Sequence, residues 1–433
     1  MVTVVSPVNA SSHILEALPE EPLPSGLPNL TSVDHYYNIE DTRQSECALV
    51  LFTRDIRTSE RLVMKILREY KDTRYSLETV EKRQRCQLEA IRRNRLFTPE
   101  VYVGLGRIDY FELEQGKFHI SEVIKSPTQA DISCLDLQRG SFSIKEIISN
   151  PTKDMLDPGA EYALVMEELP QPRKLAHLLE QGDESLLQQL TRLLIERIAY
   201  VHKHLAPAVP REDGLQWGSY EQLQKKLMHN FELLDLVLTT TEYGLCSINS
   251  WRKEILEGLK ESLLRIFIEG RYDCYFERRI RDQYIRDCHG DLKSPNIWIL
   301  VPDQGCNDEP GQGVKILDAI DFNSAYSTID ILSDFAMLVI DTQTRTKSAN
   351  LADEMIEYYL KLTDQDNEVA RAVLDYYLVE KAIVGAAISI VYDNLPDLGL
   401  SLLQVAEMRL EHLIEQQVTP AEGAKDDLAH VEV

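Results

Sequence analysis

Cys288-His289-Gly290-Asp291-Leu292-Lys293-Ser294-Pro295-Asn296-Ile297 is the stretch on which the reading of this chain turns. Twenty-five residues beyond Asn296 stands a second short run, Ile320-Asp321-Phe322-Asn323. Between them lie two apolar runs, Ile297 to Val301 (IWILV) and Val314 to Leu317 (VKIL), separated by a polar segment rich in Gly, Pro and Asp. That pattern predicts a hairpin. An Asp, an Asn five residues later and another Asp beyond a hairpin suit phosphoryl transfer from a nucleotide. One carboxylate orients and deprotonates an attacking hydroxyl, while an Asn oxygen and a further carboxylate hold Mg²⁺, which prefers hard oxygen ligands. The alternative for the same residues is a solvated loop with a coincidental Asp and Asn. The His-Gly-Asp triplet, the spacing and the flanking strand patterns weigh against it.

Upstream, Ala48 to Phe52 (ALVLF) and Arg61 to Leu67 (RLVMKIL) flank a polar link and predict another hairpin. From about Ser76 to Leu96, Val80, Leu88 and Ile91 recur at helical spacing within a charged segment. Tyr162 to Met166 (YALVM) reads as a strand that ends in Glu167-Glu168-Leu169-Pro170, where proline biases the preceding residue toward extended backbone. Helical periodicity then dominates, over Ser185 to Leu205, Tyr220 to Leu238, Ile255 to Ile268, Asp353 to Leu362, Tyr376 to Tyr392 and Leu400 to Ile414. Residues 109 to 157 fit neither period and suggest an insertion beside the strands. Residues 1–30 and 419–433 are Pro-, Ser- and acid-rich or otherwise aperiodic and read as disordered tails.

The motif resembles H-G-D-x-x-x-x-N followed by I-D-F, the signature of the aminoglycoside phosphotransferase and choline-kinase-like branch of the protein-kinase-like fold. The resemblance is closest to a bacterial group named "aminoglycoside phosphotransferase family enzyme", in which the second element has the form F-D-x-I-E-F-N; here it reads Leu317-Asp318-Ala319-Ile320-Asp321-Phe322-Asn323. Asp330 and Asp334 match that group's D-x-x-x-D-L-A run, and Asn94-Arg95-Leu96-Phe97-Thr98-Pro99-Glu100-Val101-Tyr102-Val103-Gly104 resembles its N-R-x-x-x-P-x-x-Y-x-G. The resemblance implies an α+β, two-lobed protein-kinase-like fold. A small β-rich nucleotide-binding lobe would span 31–168, and a larger helical lobe with the catalytic loop, metal site and acceptor site would span 169–418.

It implies an ATP- and Mg²⁺-dependent kinase acting on a hydroxyl of a small molecule. Asp291 would be the catalytic base, with Lys293 beside it where some kinases place a phosphate-contacting lysine. Asn296 and Asp321 would be the magnesium ligands, with Asp318 as a rival for Asp321. Lys65, within Leu62-Val63-Met64-Lys65-Ile66-Leu67, resembles the strand lysine that holds the nucleotide's α and β phosphates, and Glu89 would pair with it from a helix. Glu167 to Leu169 would offer backbone groups to adenine. One departure stands out: residues 31–65 contain no glycine, so no glycine-rich loop precedes Lys65. Asn38 to Ser45 (NIEDTRQS) is the turn expected in its place. The missing glycines support a second reading, a catalytically degenerate kinase-like protein kept for binding or regulation. Such proteins commonly lose the base or a metal ligand, and both candidates are present here. A protein kinase is disfavoured by HGD in place of HRD and by the lack of an APE-like segment after IDF.

Composition narrows the remaining classes. With 46 basic and 71 acidic residues the chain carries a formal net charge of −25. That balance opposes non-specific nucleic-acid binding, which needs a basic surface to neutralise phosphates. The N-terminal stretch has no basic region and no long apolar run, and nothing approaches the apolar length of a membrane span. The seven cysteines are dispersed without a CxxC pair, as expected for reduced thiols. A cytoplasmic protein with a small-molecule partner, and neither nucleic acid nor membrane, is expected.

Overall fold

The computed structural model describes residues 35–45, 47–55, 58–71, 76–113, 116–118, 140–211, 214, 216–239, 257–263, 265, 272–300, 310–391 and 395–418. The expected tails, and both ends of the expected helix Ile255 to Ile268, lie outside the described residues. The fold is α+β: an antiparallel sheet comes first and helices dominate later. The chain divides into two compact units, Met1–Leu205 with Asp287–Thr328, and Ala206–Arg286 with Ile329–Val433. The segment carrying the HGD motif, Asp287–Thr328, belongs with the preceding sheet in the first unit.

In the first unit, seven strands form one antiparallel sheet: β1 (His35–Gln44), β2 (Ala48–Asp55), β3 (Arg61–Leu67), β4 (Tyr102–Leu113), β5 (Gly116–Phe118), β6 (Gly140–Ile148) and β7 (Tyr162–Glu167). β4 pairs with β6 along Leu105–Leu113 and with β7 along Tyr102–Arg107. The pairings β4–β6–β1–β2–β3–β7–β4 therefore close on themselves. The expected hairpin is β2–β3, with Val50 opposite Lys65. Alternation along β3 sends Leu62, Met64 and Ile66 into a core shared with Leu49, Leu51, Ala163 and Val165. Lys65 consequently emerges on the other face.

That other face is covered by α1 (Val80–Phe97), which Thr79 caps by accepting the Lys82 amide at 3.3 Å. Ala90 and Ile91 pack there with Leu105, Tyr162, Leu164 and Leu317. Burying each large aliphatic side chain of this kind contributes about 1.5–3 kcal/mol. Gln87 donates to the Tyr162 carbonyl at 2.6 Å, fixing the helix to β7. Helices α2 (Leu175–Gln181) and α3 (Glu184–His204) follow, then the expected hairpin β8 (Ile297–Ile299) and β9 (Val314–Ile316).

The second unit is helical: α4 (Tyr220–Thr239), α5 (Tyr272–Arg281), α6 (Ile331–Thr346), α7 (Ala349–Leu362), α8 (Glu368–Val391) and α9 (Pro396–Val418). α8 packs against α4, α6 and α9. The Arg279 guanidinium grips both oxygens of Asp330 at 2.6 and 2.7 Å, deep in this unit, while Asp330 caps α6 through the Leu332 amide. Among the described residues no helix is long and apolar enough to cross a membrane.

Candidate active site

The HGD loop begins at Cys288, whose amide donates to the Ser327 carbonyl at 2.7 Å. His289 is fully buried, and its ring lies edge-on to Phe97. Its Nδ1 faces the Asp291 amide at 3.3 Å and its Nε2 faces the Leu317 carbonyl at 2.9 Å. This pairing assigns the proton to Nε2. The Ile320 amide donates to the His289 carbonyl at 2.9 Å, and the Leu317 amide to the Asn296 carbonyl at 2.8 Å. One residue, His289, thus laces the HGD loop to the loop after β9. Gly290 adopts φ +84°, and a Cβ there would stand 2.6 Å from the Tyr326 carbonyl oxygen. Both the conformation and the space require glycine.

Asp291 faces the Asn296 side chain, whose Nδ2 donates to the Asp291 carbonyl and to its Oδ2, each at 3.0 Å. Lys293 Nζ approaches the same Oδ2 at 3.1 Å. One carboxylate oxygen is thereby held by two donors. The other, Oδ1, has no hydrogen-bond partner among the described residues, and neither has the Asn296 Oδ1.

Lys65 reaches across to the loop after β9. Its Nζ lies 2.9 Å from Asp318 Oδ1, and the Asp318 side chain remains 63% exposed. The lysine charge holds the Asp318 carboxyl below the usual carboxylate value, and Asp318 in turn pushes the Lys65 ammonium up. Asp321 has a different environment. Burial pushes its carboxyl up to about 6 against the opposing charge of Lys65, and the buried Cys86 thiol of α1 donates to it. It lines a cleft of about 750 Å³ with Cys86, Arg85, Glu89, Lys153 and Asn323.

The structure brings Asp291, Lys293, Asn296, Asp318 and Lys65 into one connected set. It does not bring Glu89 to Lys65. Glu89 bonds Arg92 and Arg93 instead, and those two arginines also pair with Asp287. Burial opposes ionisation of Glu89, but the two guanidiniums outweigh it and hold the carboxyl below its usual value. Glu89 faces away because Cys86, Gln87, Ala90 and Asn94 occupy the buried stripe of α1.

Of the groups expected to face adenine, the Glu167 amide is committed to the Val101 carbonyl at 2.9 Å, whereas the Leu169 amide makes no backbone hydrogen bond among the described residues. The segment expected as a turn, Asn38 to Ser45, is mostly strand β1. The turn is shorter and lies at Ser45–Ala48, where the Ser45 amide donates to the Ala48 carbonyl at 2.8 Å and the Ser45 hydroxyl accepts the Ala48 amide at 3.2 Å. Such closure by a serine needs no glycine. Asn94, Thr98 and Tyr102 also reach the 316–319 loop. The N-R-x-x-x-P-x-x-Y-x-G spacing singles out their segment, yet sequence reasoning assigned these side chains no role.

No protein-family model matches the chain, and no curated protein matches its sequence. Among solved structures it is similar to a choline kinase from Cryptosporidium parvum Iowa II, at a TM-score of 0.47 and 11% identity over 89% of this chain and 92% of that one. It is also similar to an ethanolamine kinase from Plasmodium vivax, at a TM-score of 0.39 and 12% identity over 84% of this chain and 81% of that one.

Proposed function

We propose that the protein transfers the γ-phosphoryl group of ATP to a hydroxyl of a small molecule. The observation that carries this is the linked set Lys65–Asp318 and Asp291–Asn296, drawn from three distant parts of the sequence and tied together through His289. A solvated loop would have no cause to converge on a strand lysine. In this reading 31–168 is the nucleotide-binding part and 169–418 carries the catalytic loop and the acceptor site.

Magnesium fits the donors present. Asn296 Oδ1 and the exposed Asp318 carboxylate are hard oxygens on adjoining loops, and Mg²⁺ commonly takes one or two protein oxygens and leaves its other positions to phosphates and water. Asp318 takes the role expected of Asp321, whose side chain is partly buried and whose carboxyl lies beside a thiol. When bound, the ion would offset charge on the nucleotide's phosphates.

The chain's own residues then do the following. Lys65 binds the α and β phosphates by charge. The free Leu169 amide offers a donor to adenine. Asn296 and Lys293 fix Asp291 through Oδ2, so that Oδ1 meets the acceptor. The acceptor oxygen attacks the γ phosphorus as its proton passes to Asp291 Oδ1. The bond from that phosphorus to the β–γ bridging oxygen breaks, and ADP leaves with the electron pair. General-base help of this kind contributes typically 10²–10⁴-fold.

The test is a screen of small alcohols and amino alcohols for ATP-dependent phosphorylation, with Asp291→Asn as control. Product formed by the wild type and reduced at least about 100-fold in the variant supports the proposal. Equal turnover in the variant removes Asp291 from the role of base.

A further inference from the structure

Asp318 is a non-glycine residue at φ +65°, a left-handed conformation that costs a side-chain-bearing residue roughly 1–2 kcal/mol. Something must hold it. Its amide donates to Tyr102 Oη at 3.0 Å, and the next amide, of Ala319, donates to Asn94 Oδ1 at 2.9 Å. The two acceptors are themselves joined, because the Tyr102 hydroxyl donates to Asn94 Oδ1 at 2.8 Å. Asn94 Nδ2 donates to the Ala90 carbonyl at 2.8 Å, which fixes which end of the amide faces the loop. Asn94, Tyr102 and Ala319 are all buried, so water cannot substitute for either acceptor.

The supports continue on both sides. Thr98 Oγ1 accepts the Ile316 amide at 2.8 Å and donates to the Ile316 carbonyl at 2.9 Å. The Arg95 guanidinium takes the Tyr102 and Val103 carbonyls, at 2.6 and 2.9 Å for Nη2. A Cβ on Gly104 would lie 2.4 Å from the Ile148 carbonyl oxygen, so the strand after Tyr102 packs where only glycine fits. The spacing Asn94, Arg95, Thr98, Tyr102, Gly104 thus reads as one clamp. Two successive amides are drawn to one side of the loop, and the Asp318 carboxylate is left on the other, against Lys65 and solvent.

We infer that Asn94 and Tyr102 are positioning residues: together they impose the backbone conformation by which Asp318 presents its carboxylate to a nucleotide-bound divalent cation. This rests on the phosphotransferase reading above, and names residues that act only through Asp318.

The experiment measures ATP binding by calorimetry across a magnesium titration, for wild type, Tyr102→Phe and Asn94→Leu, with thermal midpoints recorded alongside. Loss of a group that orients a metal ligand typically costs 10–100-fold in metal affinity. Tyr102→Phe, which keeps the ring and its packing, should raise the magnesium concentration for half-maximal enhancement at least about tenfold. ATP affinity without magnesium should stay within about twofold, since Lys65 is untouched. A role in folding alone would lower the thermal midpoint and leave the magnesium dependence of the folded protein unchanged, overturning the inference. Should Asn94→Leu fail to fold, Tyr102→Phe decides alone. Wild-type protein with no magnesium-enhanced binding would overturn the phosphotransferase reading itself. Normal wild-type enhancement with an unshifted Tyr102→Phe would overturn only the clamp.

Discussion

Lys65 Nζ and Asp318 Oδ1 lie 2.9 Å apart although 253 residues separate them in the chain. This pair, and not one between Lys65 and Glu89, joins the sheet to the loop after the β8–β9 hairpin. A lysine emerging between Met64 and Ile66 of a core strand is aimed by the strand's alternation, and its partner is held by the clamp on Asp318. Replacing Lys65 by Met should weaken ATP binding about 10–100-fold, the worth of one or more charged hydrogen bonds to phosphate. Calorimetry on the folded variant checks this, and unchanged affinity would remove Lys65 from the nucleotide site.

Glu89 belongs to a separate network with Arg92, Arg93 and Asp287. Glu89→Gln should therefore leave ATP affinity within about twofold, since the exposed part of such a network is worth only about 1 kcal/mol and touches no phosphate group. A tenfold loss of affinity would instead return Glu89 to the partnership with Lys65.

How much of this was legible in the sequence follows from what each residue depends on. The HGD loop and its hairpin were readable because glycine at positive φ, the Asp–Asn spacing and two short apolar runs are local features. The choice between Asp318 and Asp321 was not, since it depends on where a distant lysine ends. α6 escaped notice for another reason: from Ile331 to Ile340 every residue is buried, so no polar stripe marks the helical period. β4 and β6 were unreadable partly because the ladder shifts register around Arg107 and Ile108, which breaks the period of two. The segment Asn94–Gly104 was visible as a pattern but silent as to role, because its partners lie more than two hundred residues onward.

Gly290 offers a sharp steric test. Alanine there must adopt φ +84° and place its Cβ 2.6 Å from a backbone oxygen that no side-chain rotation can move. The expected result is a loss of at least about 2 kcal/mol in stability, read as a thermal midpoint lower by several degrees. A variant with the wild-type midpoint would mean that the loop is not held against Tyr326.

Asp375 on α8 gives a dependence on pH. Burial pushes its carboxyl up to about 6, although His412, Arg409 and Arg371 nearby act in the opposite direction and Asp353 with burial. Between the unfolded value near 4 and about 6, the native state holds the proton more tightly, so stability falls as pH rises through that window. Asp375→Asn removes the charge. It should exceed the wild type by about 1–2 kcal/mol at pH 7.5 and match it at pH 4. Denaturant melts at the two values check this; a difference independent of pH would contradict it.

In the proposed function, Asp318 is the carboxylate on which a nucleotide–metal site is built. Its most direct test is calorimetric ATP binding with and without Mg²⁺, for wild type, Asp318→Asn and Asp321→Asn. The expected result is magnesium-enhanced binding in the wild type, retained in Asp321→Asn and lost in Asp318→Asn. Retention in Asp318→Asn with loss in Asp321→Asn would contradict the assignment of the metal ligand, and absence of wild-type binding at millimolar ATP would contradict the site as a whole.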